Sequence, residues 1–405
     1  MKKKFRIYLN YFDISFFPLL GFCICFPYSI PLSNFFLILS VISVFISNKN
    51  LSPLYHLKKH PILIAFFLLN ILYAFWQGFS KKNNLNIEQY ALLLVMPIVL
   101  HNVIIKKQLQ SFIKVFFVCI IVSLIPAFLI SIGCYLESKD YTEFLYKKLA
   151  GNIGFHVIEY SLFISISGLF FLHEYFNNHK KINLLLLIVC SLVIILLSVR
   201  STIIIYFFVL ITYLVINLII NRKYILAIGL PIIIISVSSI MVMEIPTLKS
   251  RFHRVLNSKN EMEKHNRLNG FSGRIFIWSK AIEIIDENLI LGVGPKECQK
   301  QLNIRYSKDS LGETALKGNY NAHNQFIQSY LELGLLASLL LIVFFIRDFI
   351  ISIRSKNMFF IGISVLIPVA CLTESILEVH KGIILLSISN IIILNHEIFQ
   401  MRNRF

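Results

Sequence analysis

The sequence predicts an all-α integral membrane protein of about 12 transmembrane helices, with one large external loop between the ninth and the tenth. Three observations predict it. Hydrophobic residues make up 57% of the 405 positions, charged residues only 15%, and the mean hydropathy is +0.73; a water-soluble globule is excluded at that balance. Apolar runs of the length that crosses a bilayer recur along most of the chain. Lysine and arginine gather in alternate connections between those runs.

In chain order the runs are 12–29, 31–47, 61–78, 87–105, 110–133, 154–174, 182–199, 201–220, 224–243, 323–346, 357–374 and 379–397. Only Pro27 to Pro31 separates the first two, and only the turn at Arg200 separates the seventh from the eighth. The chain thus divides into nine spans over 1–243, an external loop over 244–322, and three spans with a tail over 323–405.

Charge sets the orientation. With Lys2, Lys3, Lys4 and Arg6 placed in the cytoplasm, the returning connections carry Lys49, Lys58 and Lys59, then Lys106 and Lys107, Lys180 and Lys181, Arg222 and Lys223, and Arg347, Arg354 and Lys356. The tail adds Arg402 and Arg404, and both termini are expected inside. Counting Lys114 inside, 19 basic residues face the cytoplasm against 7 in the short outer connections, as the positive-inside rule requires. The surplus of +18 therefore points to anionic headgroups and anionic substrates rather than nucleic acid.

The loop holds 13 basic and 9 acidic residues. Within it Ser272 is expected to cap a helix with an apolar stripe of Ile275, Trp278, Ile282 and Ile285, closed by the breaker Gly292-Val293-Gly294-Pro295. The polar stretch from Ser307 to Asn321 has the composition of a mobile segment or lid. Five of the seven cysteines, Cys23, Cys25, Cys119, Cys190 and Cys371, fall in apolar runs and serve packing. Cys134 and Cys298 lie in external segments, where a disulfide is allowed but not demanded by spacing. The first apolar run has no small-residue cleavage site and leads into another run, so no cleavable leader is expected.

Three polar positions stand out. His323-Asn324 sits where the loop enters the tenth span, and an imidazole at a helix N-terminus is favoured in its neutral form, fit to accept a proton; a helix cap or an interfacial belt position fits the same residue. Arg200 lies between two apolar runs with almost no loop around it, either snorkelling to the headgroups or binding an anion. Arg274 opens the helix in the loop, where solvation is the plain alternative. The charge-derived topology puts all three on one membrane face. Two arginines able to grip phosphate oxygens and a neutral imidazole suit displacement of a diphosphate by a sugar hydroxyl. Glu159, Glu332, Glu374 and Glu378 are costly acids near spans; they are read as partners for interfacial cations, with no role assigned. No Asp-rich metal motif and no phosphate-cradling glycine loop is present, so neither metal nor cofactor is expected.

These motifs resemble the O-antigen ligase family, which shares a domain with O-antigen polymerases. The likeness is strongest from about Ser198 to Leu340. It rests on Arg200-Ser201 at a span end, on Arg274 and Trp278 followed by Asp286-Glu287-Asn288 and Gly292-Val293-Gly294, and on His323-Asn324, nine residues, then Gly334. Where many relatives have a second histidine two positions before the first, this chain has Asn321, and Ala337 replaces the second glycine of the last motif. The resemblance implies a glycosyltransferase similar in architecture to the GT-C type, set in the bacterial inner membrane with its loop in the periplasm. It implies an inverting, metal-independent transfer from an undecaprenyl-diphosphate-linked glycan to a lipid A-core sugar, with His323 as base. Arg200 and Arg274 would hold the diphosphate, with Asn324 beside them in the binding site. An O-antigen polymerase would use the same donor. A transporter or flippase is the rival of another class, and it predicts repeated halves and mid-membrane charges; no repeat is found.

Overall fold

The computed structural model describes residues 16–47, 57–78, 81–105, 108–244 and 270–396. The basic N-terminal tail, Lys49, Lys106, Lys107, the loop between Ile245 and Asn269, and Arg402 and Arg404 lie outside the described residues. Among those described, every regular element is a helix: α1 Phe16–Cys25, α2 Ile30–Ser47, α3 Pro61–Gln77, α4 Lys81–Val99, α5 Leu109–Val122, α6 Leu124–Ser138, α7 Val157–Asn178, α8 Lys181–Leu197, α9 Arg200–Ile220, α10 Tyr224–Glu244, α11 Gly270–Glu287, α12 Pro295–Ser307, α13 Gln325–Arg354, α14 Met358–Cys371 and α15 His380–Leu394, with short helical turns between them. Five stretches are long and apolar enough to cross a membrane: 109–138, 157–178, 200–220, 224–241 and 325–354. The other apolar runs also form helices, with apolar stretches of 10–17 residues.

The fifth run departs from a single rod. It divides at Ser123 into α5 and α6 and continues to Ser138, because Pro126 has no N–H to give the Val122 carbonyl; the neighbouring bond, Ala127 N to Ser123 O, is stretched to 3.4 Å.

The chain forms two compact units. One comprises Met1–Ile64, Ala91–Leu197 and Ile384–Phe405. Its centre is α7, buried on every side, the state expected of a helix apolar around its whole circumference. Phe22, Phe26, Phe116, Phe155 and Phe163 interlock there, with ring centroids 5.3–6.2 Å apart. The α7 serines return their hydroxyls to their own helix, Ser165 to Ser161 O and Ser167 to Phe163 O, both at 2.7 Å. Buried polar groups are thus satisfied without leaving the helix. Glu174 is held by amides, Gln110 Nε2 at 2.7 Å and Asn178 Nδ2 at 2.9 Å.

The other unit, Ala65–Tyr90 with Ser198–Ile383, packs α9 and α13 against α14 and sets α11 and α12 against the start of α13. Here three expectations are corrected. Helix α11 begins at Gly270, so Ser272 is a buried residue of its first turn rather than its cap. Its inward face is Phe276, Ile277, Ala281 and Ile284, while Ile275 and Ile282 are half exposed. Packing against Leu302, Tyr306 and Leu331 buries that face; of the expected stripe, Trp278 and Ile285 are partly buried against the same cluster. The helix ends at Glu287, before the glycine breaker.

The stretch from Ser307 to Asn321 is folded instead of forming a loose lid. Asp309 caps a turn at Leu311 N (3.0 Å), the helix Glu313–Lys317 follows, and Ala315 is buried against Tyr306. Cys134 and Cys298 are both free thiols; Cys298 is sealed in the core of α11 and α12, so the allowed disulfide does not form.

Candidate functional site

Local rules of chain geometry fix the segment that carries the histidine. Asn324 adopts an extended backbone and its side-chain oxygen accepts from Phe326 N (2.9 Å) and Ile327 N (3.3 Å), capping α13. Asn321 Oδ1 accepts from His323 N at 3.0 Å, forming an Asx turn. On either side Ala322 is pinned: its carbonyl accepts from Trp278 Nε1 (3.0 Å) and its N–H donates to Gln328 Oε1 (3.0 Å). His323 itself sits at φ +44°, a left-handed conformation that costs a β-carbon residue about 1–3 kcal/mol. It is over-determined by these bonds, so the ring leaves the backbone in a fixed direction.

That direction leads to Glu374, in the turn after α14. His323 Nδ1 lies 2.8 Å from Glu374 Oε2, and Arg274 Nη2 donates to Glu374 Oε1 at 2.7 Å. One carboxylate joins residues 100 and 51 positions away. Burial alone would raise the Glu374 pKa; the hydrogen bond and charge of His323 and the Arg274 guanidinium outweigh it and hold the carboxyl below its usual range. An ionised carboxylate only accepts. Nδ1 therefore carries the ring proton in the neutral imidazole, and Nε2 is left with its lone pair available as a proton acceptor. The Tyr320 ring meets the imidazole edge to face, with centroids 5.3 Å apart.

Arg200 opens α9 and is half buried. Its neighbour Ser201 accepts a hydrogen bond from Thr373 Oγ1 at 3.4 Å, so the start of α9 sits beside the residue preceding Glu374. Thus Arg274 and His323 converge on one carboxylate, and the backbone at Arg200 approaches the same turn. The Asn324 side-chain oxygen is committed to its cap.

The two glycine motifs meet in the same unit, backbone to backbone. Helix α13 is broken at Gly334, φ +75° and ψ −174°. Around the break, Val293 N donates to Leu331 O (2.8 Å) and Leu335 N to Ile290 O (3.0 Å). The loop thereby repairs the hydrogen bonds that the break frees, which an apolar setting requires. From α3, Tyr73 donates its hydroxyl to Leu291 O and Gln77 Nε2 donates to Val293 O (2.6 Å). A side chain at Gly292 would meet Tyr330 O at 2.5 Å and Leu331 O at 2.6 Å; only glycine permits this approach at φ +66°.

Glu374 is the site residue that the sequence reading left without a role. Its signal was the cost of an acid beside a span; its partners were hidden by their distance along the chain. Compared with known families, residues 185–342 match a family model described as O-antigen ligase. The matched stretch contains Arg200, Arg274, His323, Asn324 and Gly334 and stops short of Glu374. No curated protein matches the chain.

Proposed function

Starting from the match of residues 185–342 to a family model described as O-antigen ligase, we propose that this membrane protein is the ligase itself. It transfers a glycan from undecaprenyl diphosphate to a lipid A-core sugar at the periplasmic face of the bacterial inner membrane. The observation that carries the reading is the shared carboxylate: a base-competent imidazole and a guanidinium held 2.8 and 2.7 Å from the two oxygens of Glu374.

The chemistry follows from that arrangement. His323 Nε2 takes the proton of the acceptor hydroxyl as its oxygen attacks the anomeric carbon of the first donor sugar. The carbon–oxygen bond to the diphosphate breaks, and the leaving group departs with the electron pair, inverting the anomeric centre. The protonated ring is stabilised through Nδ1 by Glu374, as a buried carboxylate stabilises an imidazolium in hydrolytic triads. Arg274 keeps donors beyond the one given to Glu374, and with Arg200 it neutralises the charge gathering on the diphosphate. No metal is called on, since the two guanidinium groups supply the positive charge. Asn324 contributes through the cap that aims His323.

The test is substitution with insertion monitored. His323→Ala and Arg274→Ala should each abolish glycan transfer while the protein accumulates in the membrane at wild-type levels; normal glycan ladders in either would overturn the site. Loss of the gene separates ligase from polymerase, which share the donor. Loss of a ligase leaves bare core while lipid-linked polymer accumulates, whereas loss of a polymerase leaves core bearing a single repeat.

A further inference from the structure

Tyr320 stands beside the base and takes no part in the chemistry above. Its ring meets the His323 imidazole at 73°, with centroids 5.3 Å apart. Both residues open to the surface: Tyr320 is 39% exposed and the His323 side chain 29%. An exposed aromatic ring is ordinary in itself, but this one is held still. Tyr320 N donates to Ala315 O at 3.0 Å, and its carbonyl accepts from Gln299 Nε2 (3.1 Å) and from the Tyr306 hydroxyl (3.2 Å). Asn319, at φ +47°, is anchored through its side-chain oxygen, which accepts from Asn303 Nδ2 at 2.8 Å. Gly318 closes on the ring itself, since a β-carbon there would lie 2.7 Å from Tyr320 Cζ. The folded stretch from Ser307 to Asn321 therefore presents one aromatic ring at a set place next to the imidazole.

We propose that Tyr320 is the platform on which a sugar ring of the acceptor stacks. The inference rests on the glycosyl-transfer reading of the site and adds a binding residue for its acceptor. A pyranose carries a face of C–H groups, polarised positive, with its hydroxyls at the rim, and an aromatic ring offers the negative face that matches it. Tyrosine supplies that face with little rotamer freedom to lose, and the fixed main chain lowers the ordering cost of binding further. The sugar is the acceptor's because the two ring nitrogens of His323 face different substrates. Nδ1 meets Glu374, which also holds Arg274, and the donor's diphosphate belongs with that guanidinium. Nε2 takes the proton of the acceptor hydroxyl. A pyranose lying on Tyr320 spans the 5.3 Å between the two rings and brings a rim hydroxyl to the base.

The experiment uses the full-length protein in lipid nanodiscs, with an undecaprenyl-diphosphate-linked glycan as donor and lipid A-core as acceptor. Tyr320→Leu removes the aromatic face but leaves every main-chain bond at this position in place, so its melting temperature should stay near wild type. Its acceptor KM should rise about tenfold, the scale of one aromatic face contact. The donor KM, and kcat at saturating acceptor, should change less than about threefold. Tyr320→Phe keeps the face and should recover most of the acceptor affinity that Tyr320→Leu loses. An unchanged acceptor KM in Tyr320→Leu overturns the proposal, as does a rise confined to the donor KM. A fall in kcat alone also overturns it, by making the ring a support for the imidazole, and an equal KM rise in Tyr320→Phe does so by assigning the contact to the hydroxyl. A wild type that leaves lipid A-core untouched and extends a second lipid-linked chain would instead sink the ligase reading, and the same variants measured on that acceptor would still decide the platform.

Discussion

At the scale of single residues, the proposed role of His323 as a base turns on Glu374, whose Oε2 lies 2.8 Å from its Nδ1. Glu374→Gln keeps the size and a hydrogen bond to the ring but removes the charge that stabilises the imidazolium and lets the amide present its N–H to the wrong nitrogen. By analogy with the carboxylate of hydrolytic triads, kcat should fall by about 10²-fold or more, with the variant inserted normally; a kcat within threefold of wild type would mean that Glu374 only braces Arg274. The same group gives a pH signature. Its folded pKa lies below the usual 4.5, so its ion pairs stabilise the fold fully above that value, and the contribution is lost as pH falls through the depressed pKa. Between pH 6 and pH 3 the melting temperature of the wild type in detergent should therefore fall further than that of Glu374→Gln. The sequence made this acid conspicuous without making its job legible. Chain position says that a carboxylate near a span is expensive, but not that a turn after α14 delivers it to residues 274 and 323.

Among elements, the broken helix is the part that periodicity hides. The apolar run at 323–346 announces a helix, the polar His323-Asn324 announces its start, and Asn324 does cap it. The run says nothing of the break at Gly334, since a lone glycine in a helix is tolerated at about 1 kcal/mol. Only the loop donating Val293 N and receiving Leu335 N explains the conformation. The same limit turns the expected stripe of α11 part of the way round the helix: Trp278 and Ile285 do pack on the cluster that holds Tyr306 and Leu331, while Ile275 and Ile282 are half exposed. Gly334→Ala would add a carbon against the Ile290 carbonyl and the Leu291 backbone at φ +75°, where relief requires the clasp to open. A loss of about 1–3 kcal/mol from the backbone conformation alone, with more from the clash, predicts a melting temperature several degrees lower and weakened transfer. Melting and activity assays on purified protein check it, and a variant as stable as wild type would show that the clasp is not under tension.

For the whole molecule the question is which side of the membrane the site faces, and α9, α13 and α14 carry the argument. Helix α9 has 21 residues, about 31 Å of rise, the thickness of a bilayer core. It begins at Arg200 and ends before Arg222 and Lys223. Helix α13 begins after His323 and ends at Arg354; α14 begins after Lys356 and ends three residues before Glu374. In each case the site end is poor in lysine and the far end is basic, so we propose the one insertion that satisfies the positive-inside rule for all three, with Arg200, His323 and Glu374 outward. The proposed orientation rests on the charge pattern of the sequence, because it depends on counting lysines rather than on side-chain contacts. In a background with the seven native cysteines replaced, Lys308→Cys, exposed just after α12, should react with a membrane-impermeant maleimide in intact spheroplasts. Asn221→Cys, exposed at the far end of α9, should react only after the membrane is permeabilised. The opposite pattern would put the imidazole and the arginines in the cytosol, out of reach of a glycan carried on the outer leaflet, and the transfer chemistry assigned to them would have no substrate there.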